Sequence, residues 1–478
     1  MSWETPLWTT HDAETATGGR STRDWRATGV SIDSRTVKPG DLFVALTAVR
    51  DGHDFVAAAL AQGAAAALVS RRPDGVPANA ALLVVENVET ALADLARAAR
   101  ARIMGRVAAV TGSVGKTTTK EMLHAALGAQ GATHAAEGSF NNQWGVPLSL
   151  ARMPRTTRFA VFEIGMNHAG EIEPLTRLVR PDVAVVTAVE PVHTEHFPSL
   201  EAIAEAKAEI FAGLAPGEGS AIINGDSPFF ALLSRRAEGR HAKRILSFGA
   251  AETAWARLVS AVPRADGRGL DVAARLGDRP LSFHLSVPAR HWALNALAAL
   301  ATVSALGGDI ARAAQALGDM AAPAGRGLRH DVATVGGYYA LLDESYNASP
   351  AAMRAACAAA GAVPVGPGGR RIAVLGDMLE LGPEAERFHT ELAAALREHG
   401  FDLVLTAGPL MRSLHRALPV ALQGTHADRA EDLAAVACEL VRAGDVVVVK
   451  GSHGMRMDRV VTALLAQAEM PRPAVNGN

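Results

Sequence analysis

Cysteine is nearly absent: Cys357 and Cys438 are the two in 478 residues, each within an alanine-rich stretch. That excludes a disulfide framework and leaves two buried, reduced thiols as the expectation. Neither sign of charge is in excess, since 47 basic and 49 acidic residues leave a net charge of −2. Bulk attraction to nucleic acid or to an anionic surface is excluded on that count. No apolar run reaches the ~18 residues that span a bilayer. The opening "MSWETPLWTTHDAETATGG" has no basic stretch leading into an apolar one. No membrane insertion is therefore expected, and a cytoplasmic location is. Repeats at solenoid periods and low-complexity tails are missing too.

What is present is ample core material, with 49% hydrophobic and 20% charged residues. At about 150 residues per domain the length suggests roughly three domains. Residues 1–104 hold short apolar strand candidates ("GDLFVAL", "AAAALVS", "ALLVVENV") before the helical "TALADLARAARARIM". They predict a small α/β domain. Residues 105–321 alternate strands ("RVAAVTG", "RFAVFEIG", "VAVVTAV", "SAIIN") with helices, which predicts a doubly wound parallel sheet. A shorter, more polar pattern near 254–287 reads as a small β excursion, and "RHWALNALAALATVSALGG" as a helix stopped by glycine. The Gly/Pro-rich "DMAAPAGRGLRH" marks a boundary. Over 322–478 "YYALLDE", "RRIAVLGD", "FDLVLTAG" and "DVVVVKGS" resume the alternation as a second, Rossmann-like α/β domain. Ligands sit outside the carboxyl ends of such strands, where Asp343, Gly376, Gly408 and Lys450 fall.

The stretch "TGSVGKTT" between a strand and a helix suits phosphate. Gly112 and Gly115 let the backbone turn its N–H groups inward around Ser113, and the helix adds its positive end near Thr117 and Thr118. Lys116 can reach outer phosphates, and the Thr117 hydroxyl can ligate Mg²⁺. A plain glycine turn with an exposed lysine is the bland alternative. The commoner G-x-x-x-x-G-K form has a glycine where this chain has Val110. The shorter "TGxxGKT" form argues against GTPases and most motor ATPases.

Phosphoryl transfer needs cations to offset charge on the moving group. Glu163, at the carboxyl end of "RFAVFEIG", is the candidate metal carboxylate; as a surface carboxylate it would mean nothing. His193 in "PVHTEHF" competes with His196, and either could be a solvated loop histidine. Lys207 lies in "AEAKAEIF" on a helix with apolar Ile203, Ile210 and Phe211, and periodicity leaves open whether it is solvated.

With these residues in place the chain resembles the Mur ligases, the ATP-dependent amide-forming enzymes of peptidoglycan precursor synthesis. The likeness runs over nearly the whole chain. It rests on "DSRTVKPGDLFVAL" and "DGHDF", then "TGSVGKTT", "FNNQWGVPLSL", "EIGMNHAGEI", "AKAEIF" and "HWALNALAA", then "LLDESYNASP", "VLGDMLELG" and "VVKGSHGMRMD". "NNQWGVPLSL", "GMNHAGEI", "DESYNASP" and "GDMLELG" are similar to the member that joins D-alanyl-D-alanine to UDP-N-acetylmuramoyl-tripeptide through an acyl phosphate. The resemblance implies ATP and two Mg²⁺ ions as cofactors, these two substrates as partners, no nucleic acid, and a monomer. It implies that Gly112, Ser113, Gly115, Lys116, Thr117, Thr118, Asn295, Arg326, Asp343 and Asn347 bind the nucleotide, and that Thr117, Glu163, His193 and a carbamylated Lys207 hold metal. Lys116, Lys207, His193 and Glu163 carry the catalysis in that scheme. Ser34, Arg35, Asp51, Gly52 and His53 would lie near the uridine end of the substrate, Asn141 and Asn142 near the acceptor, and Tyr346, also substrate-binding, beside Arg326 and Asp343. Trp292 stands where the family often has Asn, and 453–458 diverges. ATP bridging two domains implies a hinge near 311–325. Two other readings share the cradle: a P-loop switch protein, and a folate polyglutamate ligase, a family that lacks "DSRTVKPGDLFVAL".

Overall fold

The computed structural model describes residues 6–191 and 195–467, so His193 lies outside the described residues. Three main sheets follow one another along the chain. The first has five strands, in the order Arg20–Ser21, Leu82–Val84, Ala66–Val69, Asp41–Val44, Gly29–Ser31. Helix α1 (Val88–Ala101) follows it, opened by Asn87, whose side chain accepts from the Thr90 N–H. Its apolar face of Ala91, Leu92, Leu95 and Ala99 is buried in one cluster with Leu148 and Ala151 from the next part of the chain. The first sheet is thus seated on the second.

The second sheet has nine strands, and its middle holds β1 (Arg106–Thr111) between β2 (Phe159–Glu163) and β3 (Val183–Val186), all parallel. Val107, Ala108, Ala109 and Val110 are all buried because helices cover both faces. One cover is helix α2 (Lys116–Gly128), which leaves directly from the end of β1 through the glycine turn. On the other face lies helix α3 (Leu200–Ala208), capped by Ser199 and continued by a 3₁₀ turn, Glu209–Gly213. The β excursion near 254–287 is three strands that extend this same sheet: Ala256–Pro263 joins parallel to Arg244–Gly249, and Leu270–Leu276 and Arg279–Leu285 follow antiparallel. Helix α4 (Arg290–Ala305) packs its Trp292, Leu297, Leu300 and Val303 into the core between.

The third sheet has six strands, with β4 (Gly337–Glu344), β5 (Val446–Lys450) and Arg371–Gly376 parallel at its centre and Leu328–Thr334 antiparallel at one edge. The connection from the second sheet corrects one expectation. Residues Ile310–Asp319 form a helix whose first turn is held by Asp309, so only 320–327 is left as irregular connector. The breakers in "DMAAPAGRGLRH" act where they stand, and the irregular segment is shorter than 311–325. Cys357 and Cys438 are free thiols, the first buried and the second half-buried, and burial pushes the Cys357 thiol up to about 12. Among the described residues no helix is long and apolar enough to cross a membrane.

Candidate active site

The carboxyl ends of β1, β2 and β4 open on one cavity of about 1830 Å³. Its walls come from all three parts of the chain: Thr90 and Arg97 of α1, the turn at Ser113–Thr118, and Arg326, Tyr346 and Asn347 opposite. The turn is shaped by its glycines. Gly112 (φ +150°) has no room for a Cβ, which would collide with Thr187 Oγ1. Gly115 (φ +86°) starts α2 in the left-handed region, with Asn295 Oδ1 2.7 Å from where a Cβ would stand. No side chain caps this helix, so its first-turn N–H groups remain available to an anion.

Lys116 donates to the Gly112 and Ser113 carbonyls, at 2.7 and 3.3 Å. Burial lowers its pKa, Glu163 opposes that shift, and the positive Arg326 adds to it. Thr117 Oγ1 donates to Glu163 Oε2 at 2.7 Å, and Asn141 Nδ2 donates to Oε1 at 2.7 Å. One buried carboxylate therefore joins the cradle to the "FNNQWG" loop. Thr118 and Asn142 also line the cavity, while Gly112 stands behind it. Ser113 exchanges hydrogen bonds with the backbone of Glu190, a second lining carboxylate whose pKa burial raises.

Opposite the cradle, the Arg326 guanidinium stacks 4.0 Å over the Tyr346 ring, and Tyr346 Oη donates to Ser139 Oγ at 2.7 Å. That bond ties the third sheet's loop to the second sheet's. Asp343 is not part of the lining. Its carboxylate accepts from Gly325 N and from the Ser345 N–H and hydroxyl, which fixes the turn carrying Arg326. Asn347 accepts the His453 N–H, and Lys450 donates to the Asn347 carbonyl and to Glu344.

Lys207 is 2% exposed and does not line the cavity. Burial drives its pKa well below the usual lysine range, and the charge on Lys116 adds to that. Among the described residues no group of three His, Cys, Asp or Glu side chains could by itself hold a metal.

The structure does not bring Ser34, Arg35, Asp51, Gly52 or His53 to this cavity. Arg35 is exposed and bonded to Asp33, while Asp51 accepts from Arg71 and from His53. The His53 ring is buried between Asp51 and Ser70, and Gly52 has backbone atoms where a Cβ would go. Three groups at the site went unread in the sequence. His291 lines the cavity, with its pKa lowered by burial and the nearby Glu344 opposing that shift. Ser139 sits one residue before a loop that was read. Lys120, behind the cavity lining, is fully buried on α2, and no signal in the sequence marks it.

Three family models match the chain: Mur ligase family, catalytic domain, over 26–100; Mur ligase middle domain over 110–303; and Mur ligase, glutamate ligase domain, over 332–453. A relative from Rickettsia prowazekii, described as UDP-N-acetylmuramoyl-tripeptide–D-alanyl-D-alanine ligase, is 31% identical over 455 residues, which is 95% of this chain and 99% of that one. The chain belongs to the Mur ligase family. Among solved structures, MurF from Acinetobacter baumannii is 27% identical, with a TM-score of 0.81 over 97% of this chain and 99% of that one. A Thermotoga maritima MurF ligase in complex with ADP is 29% identical, with a TM-score of 0.76 over 92% and 98%. The Mur ligase models extend across the N-terminal part as well as the cradle. That removes both the switch-protein and the folate-ligase readings. The three-part α/β architecture is the one shared with these MurF structures.

Proposed function

We propose that this chain is the ATP-dependent, ADP-forming ligase that adds D-alanyl-D-alanine to UDP-N-acetylmuramoyl-tripeptide. The observation that carries the reaction class is the single cavity in which a phosphate cradle faces Arg326 and Tyr346 across the connector at 320–327. Similarity to ligases of this name along the full chain supports the substrates.

The chemistry follows from charge. A carboxylate lacks a leaving group, so its oxygen attacks the γ-phosphorus of ATP and ADP departs. The dipeptide amine then attacks the acyl phosphate carbonyl, phosphate leaves, and the amine loses its proton. The turn 112–118 binds the phosphates through backbone N–H groups, and Lys116 and Arg326 offset their charge from two sides. Asn295 and Asn347 contact the nucleotide, and Asp343 acts by holding the Arg326 turn. Asn141, Asn142 and Tyr346 stand beside the acceptor. Thr117, Glu163, His193 and Lys207 would hold magnesium, and the Thr117 hydroxyl and Glu163 carboxylate oxygens are the hard donors that ion prefers. When bound, Mg²⁺ supplies Lewis-acid neutralisation of phosphoryl charge. Lys207 enters as a carbamate: its neutral amine adds carbon dioxide, a C–N bond forms, one proton leaves, and an anion with two oxygens results. A depressed lysine pKa favours the neutral amine this needs. Closure about 320–327 excludes water from the acyl phosphate. A monomer is the expected working unit, in the cytoplasm where ATP is at hand.

The test is ADP release from ATP on mixing enzyme, UDP-N-acetylmuramoyl-tripeptide and D-alanyl-D-alanine. Borohydride added before the dipeptide should trap the activated carboxyl as an alcohol. ADP release with a folate substrate in place of the tripeptide would sink this reading. Residues 1–104 are assigned to the uridine diphosphate part. Arg35→Ala should then raise the KM for the nucleotide-peptide several-fold and lower kcat less. Turnover lost at an unchanged KM would place Arg35 at the reacting centre instead.

A further inference from the structure

The scheme above leaves unused a fully buried lysine, Lys120. It sits one turn into α2, the helix whose first residues form the cradle, and its side chain is 0% exposed. Its ammonium donates to the Ala136 carbonyl at 2.6 Å and the Gly138 carbonyl at 2.8 Å, and pairs with Glu121 at 2.7 Å. All of its bonding capacity is thus spent on its own helix and on one loop. That loop turns at Gly138 (φ +53°), and the next side chains on it are those that reach the site. Ser139 accepts the Tyr346 hydroxyl from the third sheet's loop, and Asn141 donates to Glu163, which also accepts from Thr117. The bonds close a ring: α2, Lys120, loop 136–142, Glu163, Thr117, α2.

We propose that Lys120 is a positioning residue for the ligation, holding the 136–142 loop in register with the phosphate-binding helix so that Asn141 orients Glu163 and Ser139 meets Tyr346. It touches no substrate, and it rests on the ligase function proposed above. A buried ammonium with two carbonyl partners fixes a loop at a defined height along a helix. Apolar packing, which is not directional, does not.

The deciding experiment is a double-mutant cycle on kcat, with Lys120→Met and Asn141→Ala as the two arms and binding of a fluorescent ADP as a second readout. Lys120→Met should lower kcat roughly 10- to 100-fold, the range for residues that orient metal ligands. Its affinity for the fluorescent ADP should stay within a few-fold, because the cradle itself is untouched. Asn141→Ala should then have little further effect in the Lys120→Met background. A loss of fold stability alone leaves the two effects multiplicative, and a multiplicative result overturns the proposal. Should Lys120→Met fail to fold, Gly138→Ala takes its place in the cycle. Its Cβ meets nothing within 4 Å, so it disturbs only the left-handed turn of the loop. Multiplicative effects there overturn the proposal equally. Wild-type enzyme that releases no ADP with the two substrates would refute the ligase function itself, an outcome distinct from a multiplicative cycle in active protein.

Discussion

Lys116→Ala should lose ligation almost completely while the protein stays folded. The lysine opens helix α2 at the cavity wall, and its ammonium is bonded to the Gly112 and Ser113 carbonyls of the preceding turn. Removing it opens no gap between the sheets and their helices. What disappears is a positive charge held at the phosphate turn by the Gly112 and Ser113 carbonyls. Loss of one preorganised group of this kind costs about 3–4 kcal/mol in the barrier, roughly a 10²- to 10³-fold fall in kcat. Arg326, whose charge already acts on Lys116, would remain to bind ATP, so the fall should appear in kcat more than in the KM for ATP. Steady-state ADP release at saturating ATP, with circular dichroism as the fold control, checks this. Turnover within a few-fold of wild type would remove Lys116 from phosphoryl transfer.

Lys207→Ala should be nearly inactive, down by about 4 kcal/mol or roughly a thousandfold, and added acetate or formate should restore part of the rate. A protonated lysine in the magnesium set would repel the metal. The structure buries Lys207 and depresses its pKa through burial first and the Lys116 charge second, which is the setting in which an amine stays neutral and takes up carbon dioxide. Alanine leaves a space of the size of the lost side chain, and a small carboxylate can bring two oxygens into it. Lys207→Arg keeps bulk and a permanent charge, so it should be equally inactive and show no rescue. The measurement is ADP release over a titration of formate, with chloride at the same ionic strength as control. Activity of Lys207→Ala near the wild-type rate without added carboxylate would make Lys207 an ordinary buried helix residue.

Much of this architecture was legible because its causes are local. Runs such as "RVAAVTG" and "DVVVVKGS" are too short and too β-branched for helices and too uniformly apolar for half-exposed strands. They became the buried centres of two parallel sheets. The cradle was readable for a similar reason: a left-handed turn and a tight approach to Thr187 demand glycine at fixed spacing, whatever the rest of the fold does. The connector was misjudged because Gly and Pro mark where a helix cannot continue, while the helix Ile310–Asp319 before them has a single capping residue, Asp309, and an alanine-rich face.

The sequence by itself determined the sheets, the phosphate turn, and the fact that a carboxylate ends the neighbouring strand, since each is written in residues adjacent along the chain. Only the tertiary structure decided which distant groups act together. Tyr346 reaches Ser139 across 207 positions, and Thr117 meets Glu163 across 46. It also decided which charged groups lose their water. Lys120 and Lys207 carry the same side chain as a solvated helix lysine, and nothing in their neighbours' identities fixes their burial. The packing of one sheet's loops on another's helices fixes it, because desolvation depends on everything within several ångströms and not on what lies next in the chain.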